Sequence, residues 1–328
     1  MPLEHCPCCE GADGTPVLGP YGGITLVRCG DCGLVHASAG YGAPLLDDHY
    51  ADRARRTSSR STTGPRPGSE RKRPALALYD RLTQGRLLAP SPDAQALDIG
   101  CSTGLLLDLL REAGYRTVGI ERSPSGAEAV AAGHEVHALD IEAGLELRQR
   151  FDVVTMTHVL EHLRQPTRAL GWVREHMRPQ GLAIVEVPNW GDLARPLWGT
   201  RYRPLELGDH LSFFERETLA GLARRAGLRV RALWSAPQAR SLLFPSLLTG
   251  VDLGLDLVRR LRRRSTPEAA VGVAADRVHG GGGRWRHAVV SAVLDGLDRL
   301  DPTLERLVGS DWDRGANLVA VLDAAPAE

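Results

Sequence analysis

The sequence predicts an α/β fold, and three observations carry that expectation. Residues 95–99 form a short apolar run that ends in an acid and a glycine-rich turn, Asp98-Ile99-Gly100-Cys101-Ser102-Thr103-Gly104, and residues 105–113 beyond it carry leucines at helical spacing. Residues 116–120 then read as a second strand ending in Glu121, ~20 residues past the turn, where a carboxylate can grip a ribose diol with both oxygens. Strand-like and helix-like segments go on alternating as far as Trp234. A βαβ unit with small residues in its first turn brings a ligand against the amides of a helix N-terminus, and the acid on the second strand marks that ligand as a nucleoside.

The chain opens on cysteines. Cys6-Pro7-Cys8-Cys9 and Cys29-Gly30-Asp31-Cys32 are two C-x-x-C knuckles, separated by a glycine-rich segment and a strand pattern at residues 24–27. That is zinc-ribbon spacing, and residues 1–46 are expected to bind Zn2+ through Cys6, Cys9, Cys29 and Cys32. Cys8 could replace Cys6 or Cys9 by register, and His5 or His36 could substitute. Four thiolates leave no open position, so the zinc is expected to be structural. So small a lobe builds too little core to fold alone; zinc contributes ~10–16 kcal/mol against ~2–4 for a disulfide, which makes metal the better staple. A redox or disulfide role is the alternative.

Residues 47–93 are expected to be a lid or linker followed by a leading helix at 75–88. The basic, Ser/Thr-rich run within 51–74 reads as a solvated connector or as a loop that orders over an anionic substrate. The core is expected over 94–240. Its helix at 105–113 stops at Gly114, and after Glu121 come a helix at 125–132, a strand at 134–138, a buried strand at 151–156 and a strand at 181–187. A helix at 215–226 closes on Gly227 before a strand at 228–234. Residues 241–310 are expected as a helical insertion before a final strand within 311–328. The first insertion helix holds Pro245, Asp252 and Asp256, which makes it a poor membrane span. Its apolar-then-basic end at 259–264 permits interfacial membrane contact or packing into a homo-oligomer, with a solvated helix end as the default.

Composition narrows the function. A chain of 328 residues with 43% hydrophobic content can bury a real core, and a formal net charge of +0 provides no global field for a polyanion, which argues against a nucleic-acid partner. Cysteines stand where the apolar segment of a secretory signal would lie, so a soluble cytoplasmic protein is expected.

The turn also separates cofactors. A nicotinamide site wants G-x-G-x-x-G, and Ser102 and Leu105 occupy the places of its second and third glycines. The pattern instead resembles motif I of the class I S-adenosylmethionine (SAM) methyltransferases, D/E-x-G-x-G-x-G, with Ser102 in place of the middle glycine. FDVVTMTHVLEHLRQP, RPQGLAIVEVPN and GDHLSFFERETLAGLARRAGLRV look like methyltransferase family 23, in many members of which a CPxC to CxxCGLV lobe precedes the SAM domain. The resemblance runs from residue 6 to about 235 and implies a Rossmann-like, seven-stranded class I methyltransferase sheet, with the last strand antiparallel beside residues 228–234.

By the same resemblance SAM is the cofactor, held by Asp98, Gly100, Cys101, Ser102, Gly104 and Glu121. Asp140 and Ile141 stand where the adenine would be read, although Asp140 also suits a helix N-cap. Thr157 and His158 would line the methionine side, and Glu161 and His162 would orient that turn or face the acceptor. His158, His210 and His162 are the candidate catalytic groups, since a neutral imidazole is a suitable base near pH 7; each also suits plain packing. Trp190, Trp198, Tyr202 and Phe213 could wall an acceptor pocket. The spacing His158-Val159-Leu160-Glu161-His162 is also that of an inverted zinc-peptidase motif, but no third ligand is evident in the sequence. The acceptor is expected to be a small molecule, a sugar or specialised metabolite. An RNA methyltransferase and a non-catalytic zinc-ribbon interaction protein with a degenerate SAM fold are the alternatives.

Overall fold

The computed structural model describes residues 5–21, 24–38, 82, 87–88, 90–143, 147–198, 209–236 and 314–324. The expected lid, the insertion at 241–310, most of the leading helix at 75–88, and Tyr202 lie outside these residues.

The N-terminal segment forms β1 (Gly14–Tyr21), β2 (Ile24–Cys29) and β3 (Val35–Ala37), each antiparallel to the next. The main sheet follows with β4 (Gln95–Ile99), α1 (Leu105–Glu112), β5 (Arg116–Ile120), α2 (Gly126–Ala131), β6 (Glu135–His137) and β7 (Phe151–Thr157). After these come α3 (Pro166–His176), β8 (Met177–Pro188), α4 (Ala194–Trp198), the short strand β9 (Ser212–Phe213), α5 (Arg216–Arg225), β10 (Leu228–Ala236) and β11 (Asn317–Ala324). The seven-stranded order is β10-β11-β8-β7-β4-β5-β6, and the four-stranded order is β1-β2-β3-β9.

β4 runs parallel to both β5 and β7, and β11 lies antiparallel against β8. The expected mixed seven-stranded sheet is therefore present. Alternate residues face opposite layers. Leu97, Val154, Val185 and Ala320 enter a core with Phe151, Leu170 and Phe214, while Ala96, Val153, Ile184 and Val319 enter another with Leu106 and Leu110. Burial on both faces explains why these strands read as continuous apolar runs with no polar alternation.

β8 begins earlier than its pattern suggests. Its pairing with β7 jumps from Phe151–Met177 to Val153–Leu182, and a Cβ at Gly181 would stand 2.8 Å from the Phe151 carbonyl oxygen. Glycine allows that close approach, so the strand already runs through Arg178-Pro179-Gln180, ahead of residue 181 where the sequence pattern begins.

The cysteine segment belongs to the same compact unit as the sheet, comprising Met1–Trp190, Glu206–Trp234 and Asn317–Glu328. β3 pairs with β9, Val35 opposite Phe213 and His36 opposite Ser212, and the Thr167 hydroxyl donates to the Cys8 carbonyl at 2.8 Å. Gly191–Leu205 and Ser235–Ala316 form a second unit. Within it the Ala194 amide donates to Asp192 Oδ1 at 3.0 Å, which satisfies the start of α4.

Candidate functional site

The parallel register aligns Ile99 with Ile120 and Met156, and Ile120 with His137. Gly100, Glu121 and the residues after His137 and Thr157 therefore leave the sheet at one edge, the carboxyl ends of the strands, where α/β sheets bind ligands.

The turn after β4 is held open by its glycines. Gly100 and Gly104 have φ of +78° and +83°; a Cβ at Gly100 would run into the Val159 side chain, and one at Gly104 would lie 2.7 Å from Ala129 Cβ. Ser102, at the middle position, also takes a left-handed φ of 48°. Its amide donates to Glu121 Oε2 at 2.9 Å, and the Ser123 amide donates to Oε1 at 2.7 Å. These bonds fix the carboxylate at the mouth of the turn and leave each oxygen further acceptor capacity for a diol.

Asp98 lies beneath the turn, 4% exposed. Burial pushes its carboxyl up to about 7 against the 2.7 Å bond from Thr155 Oγ1, and the charge of Glu121 adds to the rise. The neighbouring Cys101 thiol is pushed up to about 12 by burial and by the charges of Asp98 and Glu121, so it is a neutral packing group. Asp140 Oδ1 accepts from the Glu142 amide at 2.9 Å and Oδ2 pairs with Arg122 at 2.8 Å. Asp140 thus starts the short 3₁₀ turn Ile141–Ala143, of which Ile141 is buried.

The segment after β7 is a turn, as expected. His158 has φ of 53°, and its amide donates to the Glu186 carbonyl at 2.9 Å before the 3₁₀ turn Leu160–His162. The half-exposed His158 ring reaches Glu161 Oε1 with Nδ1 at 3.2 Å, while Nε2 lies 3.3 Å from Asn317 Nδ2. Asn317 Nδ2 also donates to Glu186 Oε1 at 2.6 Å. Burial alone would raise the Glu161 carboxyl, but the hydrogen bond from His158 and the charges of His162, His158 and His210 outweigh it and hold the group down at about 2.

His210, buried, stacks edge-on to His162 at 4.7 Å and lies 6.2 Å from the Phe213 ring. Trp190 packs edge-on against Phe213 at 5.4 Å, so two of the four expected aromatic residues gather beside His210. The Thr157 hydroxyl is buried without a hydrogen-bond partner at the same strand end. Sequence reasoning missed Glu186 and Asn317. An acid inside the apolar run GLAIVEV was the available signal for Glu186; Asn317 carries none.

In the N-terminal segment the sulfurs of Cys6, Cys9, Cys29 and Cys32 all lie within 4.8 Å of one another, with Cys6–Cys32 and Cys9–Cys29 at 3.5 Å. Tetrahedral bonds of ~2.3 Å set sulfurs ~3.8 Å apart, so the set fits one four-coordinate cation. All six cysteines are free thiols. Cys8, buried, stands outside the four, as do His5 and His36.

The chain is 31% identical over 157 residues to a ubiquinone biosynthesis O-methyltransferase of Cereibacter sphaeroides (strain ATCC 17029), a match spanning 43% of this chain and 64% of that protein. It is 32% identical over 124 residues to the enzyme of that name from Rhodopseudomonas palustris (strain BisA53), spanning 35% and 49%. The matches thus span less than two thirds of these relatives. Among solved structures, a SAM-dependent methyltransferase from Archaeoglobus fulgidus aligns with a TM-score of 0.45 at 16% identity, covering 76% of this chain and 93% of that one. A family profile described as a methyltransferase domain, methyltransferase family 23, matches residues 69–233. That match covers half of the sequence, and the chain belongs to this methyltransferase family.

Proposed function

We infer that the protein is a SAM-dependent methyltransferase acting on a small-molecule acceptor, with a structural zinc in its N-terminal ribbon. The observation that carries the reading is the Glu121 carboxylate, fixed by the Ser102 and Ser123 amides at the mouth of the Gly100–Gly104 turn. Glu121 takes the ribose diol, the turn amides and Asp98 hold the amino-acid end, Asp140 and Ile141 flank the adenine, and Thr157 and His158 face the sulfonium. When bound, SAM supplies an electrophilic methyl group.

The protein's own contribution is alignment and a proton acceptor. His158 is the better base: its side chain is 44% exposed, against 6% for His210. Glu161 fixes the His158 ring through Nδ1 and stabilises the imidazolium that forms when the acceptor gives up its proton. His162 and His210 pack around Glu161, and Trp190 and Phe213 supply apolar surface beside them.

The relatives' names support an oxygen acceptor, and a hydroxyl of a sugar or specialised metabolite fits that class. The four-cysteine cluster supports zinc. RNA is disfavoured by a net charge of +0, too little for a long phosphate track. The test is incubation with methyl-labelled SAM and three acceptor pools: phenols and catechols, sugars and sugar nucleotides, and total RNA. Label on a small hydroxyl compound is expected. Label confined to RNA would establish the alternative, and no transfer together with no cofactor binding would make the domain non-catalytic.

A further inference from the structure

We propose that Glu161, His162 and His210 form a second metal site, for a divalent first-row cation, at the edge of the sheet beside His158. The donor set is already assembled. One ligand atom from each residue lies within 4.8 Å of the others, and the side chains are 1%, 11% and 6% exposed.

The orientation of the donors carries the inference. His162 Nδ1 lies 3.0 Å from the Asp209 carbonyl oxygen, which can only accept, so Nδ1 is the donor there and Nε2 is the ring nitrogen turned toward Glu161. That Nε2 is 3.9 Å from Glu161 Oε1, and His210 Nε2 is 3.9 Å from the same oxygen. These separations are too long for hydrogen bonds. Tetrahedral bonds of ~2.0–2.2 Å set ligand atoms ~3.3–3.6 Å apart, so the two imidazoles would close on a cation by moving about 0.4 Å toward the carboxylate.

Two further observations point the same way. Glu161 Oε2 is buried with no hydrogen-bond partner, so the carboxylate has unused acceptor capacity beside the oxygen that faces the two imidazoles. The backbone also holds the ligand segments together, because the Leu211 amide donates to the Glu161 carbonyl at 2.8 Å and the Ala37 amide donates to the Leu211 carbonyl at 3.0 Å. The Asp209 carbonyl serves as the outer partner that fixes the ring of a metal-binding histidine.

Two imidazoles and one carboxylate suit Zn2+, Fe2+ or Mn2+ and leave coordination positions open for another ligand. A hydroxyl oxygen of the acceptor is the ligand this site would take, with its proton passing to His158; that role rests on the methyltransferase reading, whereas the metal site does not. His210 comes from outside the His158–His162 motif, next to the short strand β9 that pairs with β3.

The test is zinc stoichiometry by elemental analysis after dialysis of the full chain against micromolar Zn2+, for the wild type, Glu161→Gln, His210→Gln and Cys29→Ser. Each of the first two variants is expected to lose one equivalent and to keep the one that Cys29→Ser removes, which reports an intact ribbon. Mn2+ followed by paramagnetic resonance gives a second reading on the wild type alone, since this hard cation avoids the thiolates; bound Mn2+ that Zn2+ displaces is expected. Equal zinc in wild type and both variants, or a wild type that holds neither a second zinc nor Mn2+, overturns the proposal. Titration with S-adenosylhomocysteine on the same samples keeps failure of the metal site distinguishable from failure of the cofactor site.

Discussion

Arg28 holds both oxygens of Glu215, Nη1 to Oε2 at 2.9 Å and Nη2 to Oε1 at 3.1 Å, so the cysteine segment is fastened to the N-cap of α5. Arg28 Nη1 also donates to the Gly33 carbonyl at 2.9 Å, inside the second knuckle turn. The pair is about one third exposed, which screens it. Arg28→Ala is expected to lower stability by about 1 kcal/mol in urea denaturation while leaving cofactor affinity unchanged. A loss of cofactor affinity of tenfold or more would show that the ribbon shapes the nucleoside site.

Glu121→Ala removes a carboxylate that closes the turn and is assigned to the diol. Charge-assisted bonds worth about 1.5–3 kcal/mol should be lost, weakening S-adenosylhomocysteine roughly 10- to 150-fold by calorimetry. Unchanged affinity would take Glu121 out of the site.

Gly104→Ala puts a methyl group where Ala129 Cβ already stands and forces alanine to a φ of +83°. The expected cost is ~1–3 kcal/mol of stability, read from thermal or urea unfolding. A neutral effect would mean that the turn relaxes, contrary to a cradle fixed by packing.

Asp98 gives a signed pH dependence. Its carboxyl titrates near 7 in the fold against 3.8 as the ordinary value, so across that window the folded state keeps a proton the unfolded state has lost. Asp98 therefore makes stability fall as pH rises from about 4 to 7, with no further change above. Asp98→Asn cannot ionise and still accepts from Thr155. Its stability relative to wild type should rise by up to about 1.4 kcal/mol per pH unit through this window and then level off. A difference that stays flat with pH would mean that Asp98 is ionised in the folded protein.

Short-range features were legible in the sequence. The turn at Gly100–Gly104, Glu121 at the end of its strand, the glycine stops of α1 and α5 and the two knuckles each depend on residues close together in the chain. The capping side of Asp140 was legible too, since an acid before a short turn is a local device. Contacts made across the fold were not. Asn317 meets Glu186 because β11 lies antiparallel against β8, a pairing between residues 131 positions apart. His210 reaches Glu161 through a two-residue strand, β9, too short to show a periodicity. The turn after β7 was expected, but the left-handed backbone of His158 within it leaves no mark in the sequence.

The central claim is that the edge of the sheet binds the SAM nucleoside, and calorimetric titration with S-adenosylhomocysteine, beside NADH, tests it most directly. Micromolar binding of S-adenosylhomocysteine with none of NADH is the expected result. Binding of NADH instead, or of neither ligand, would contradict it.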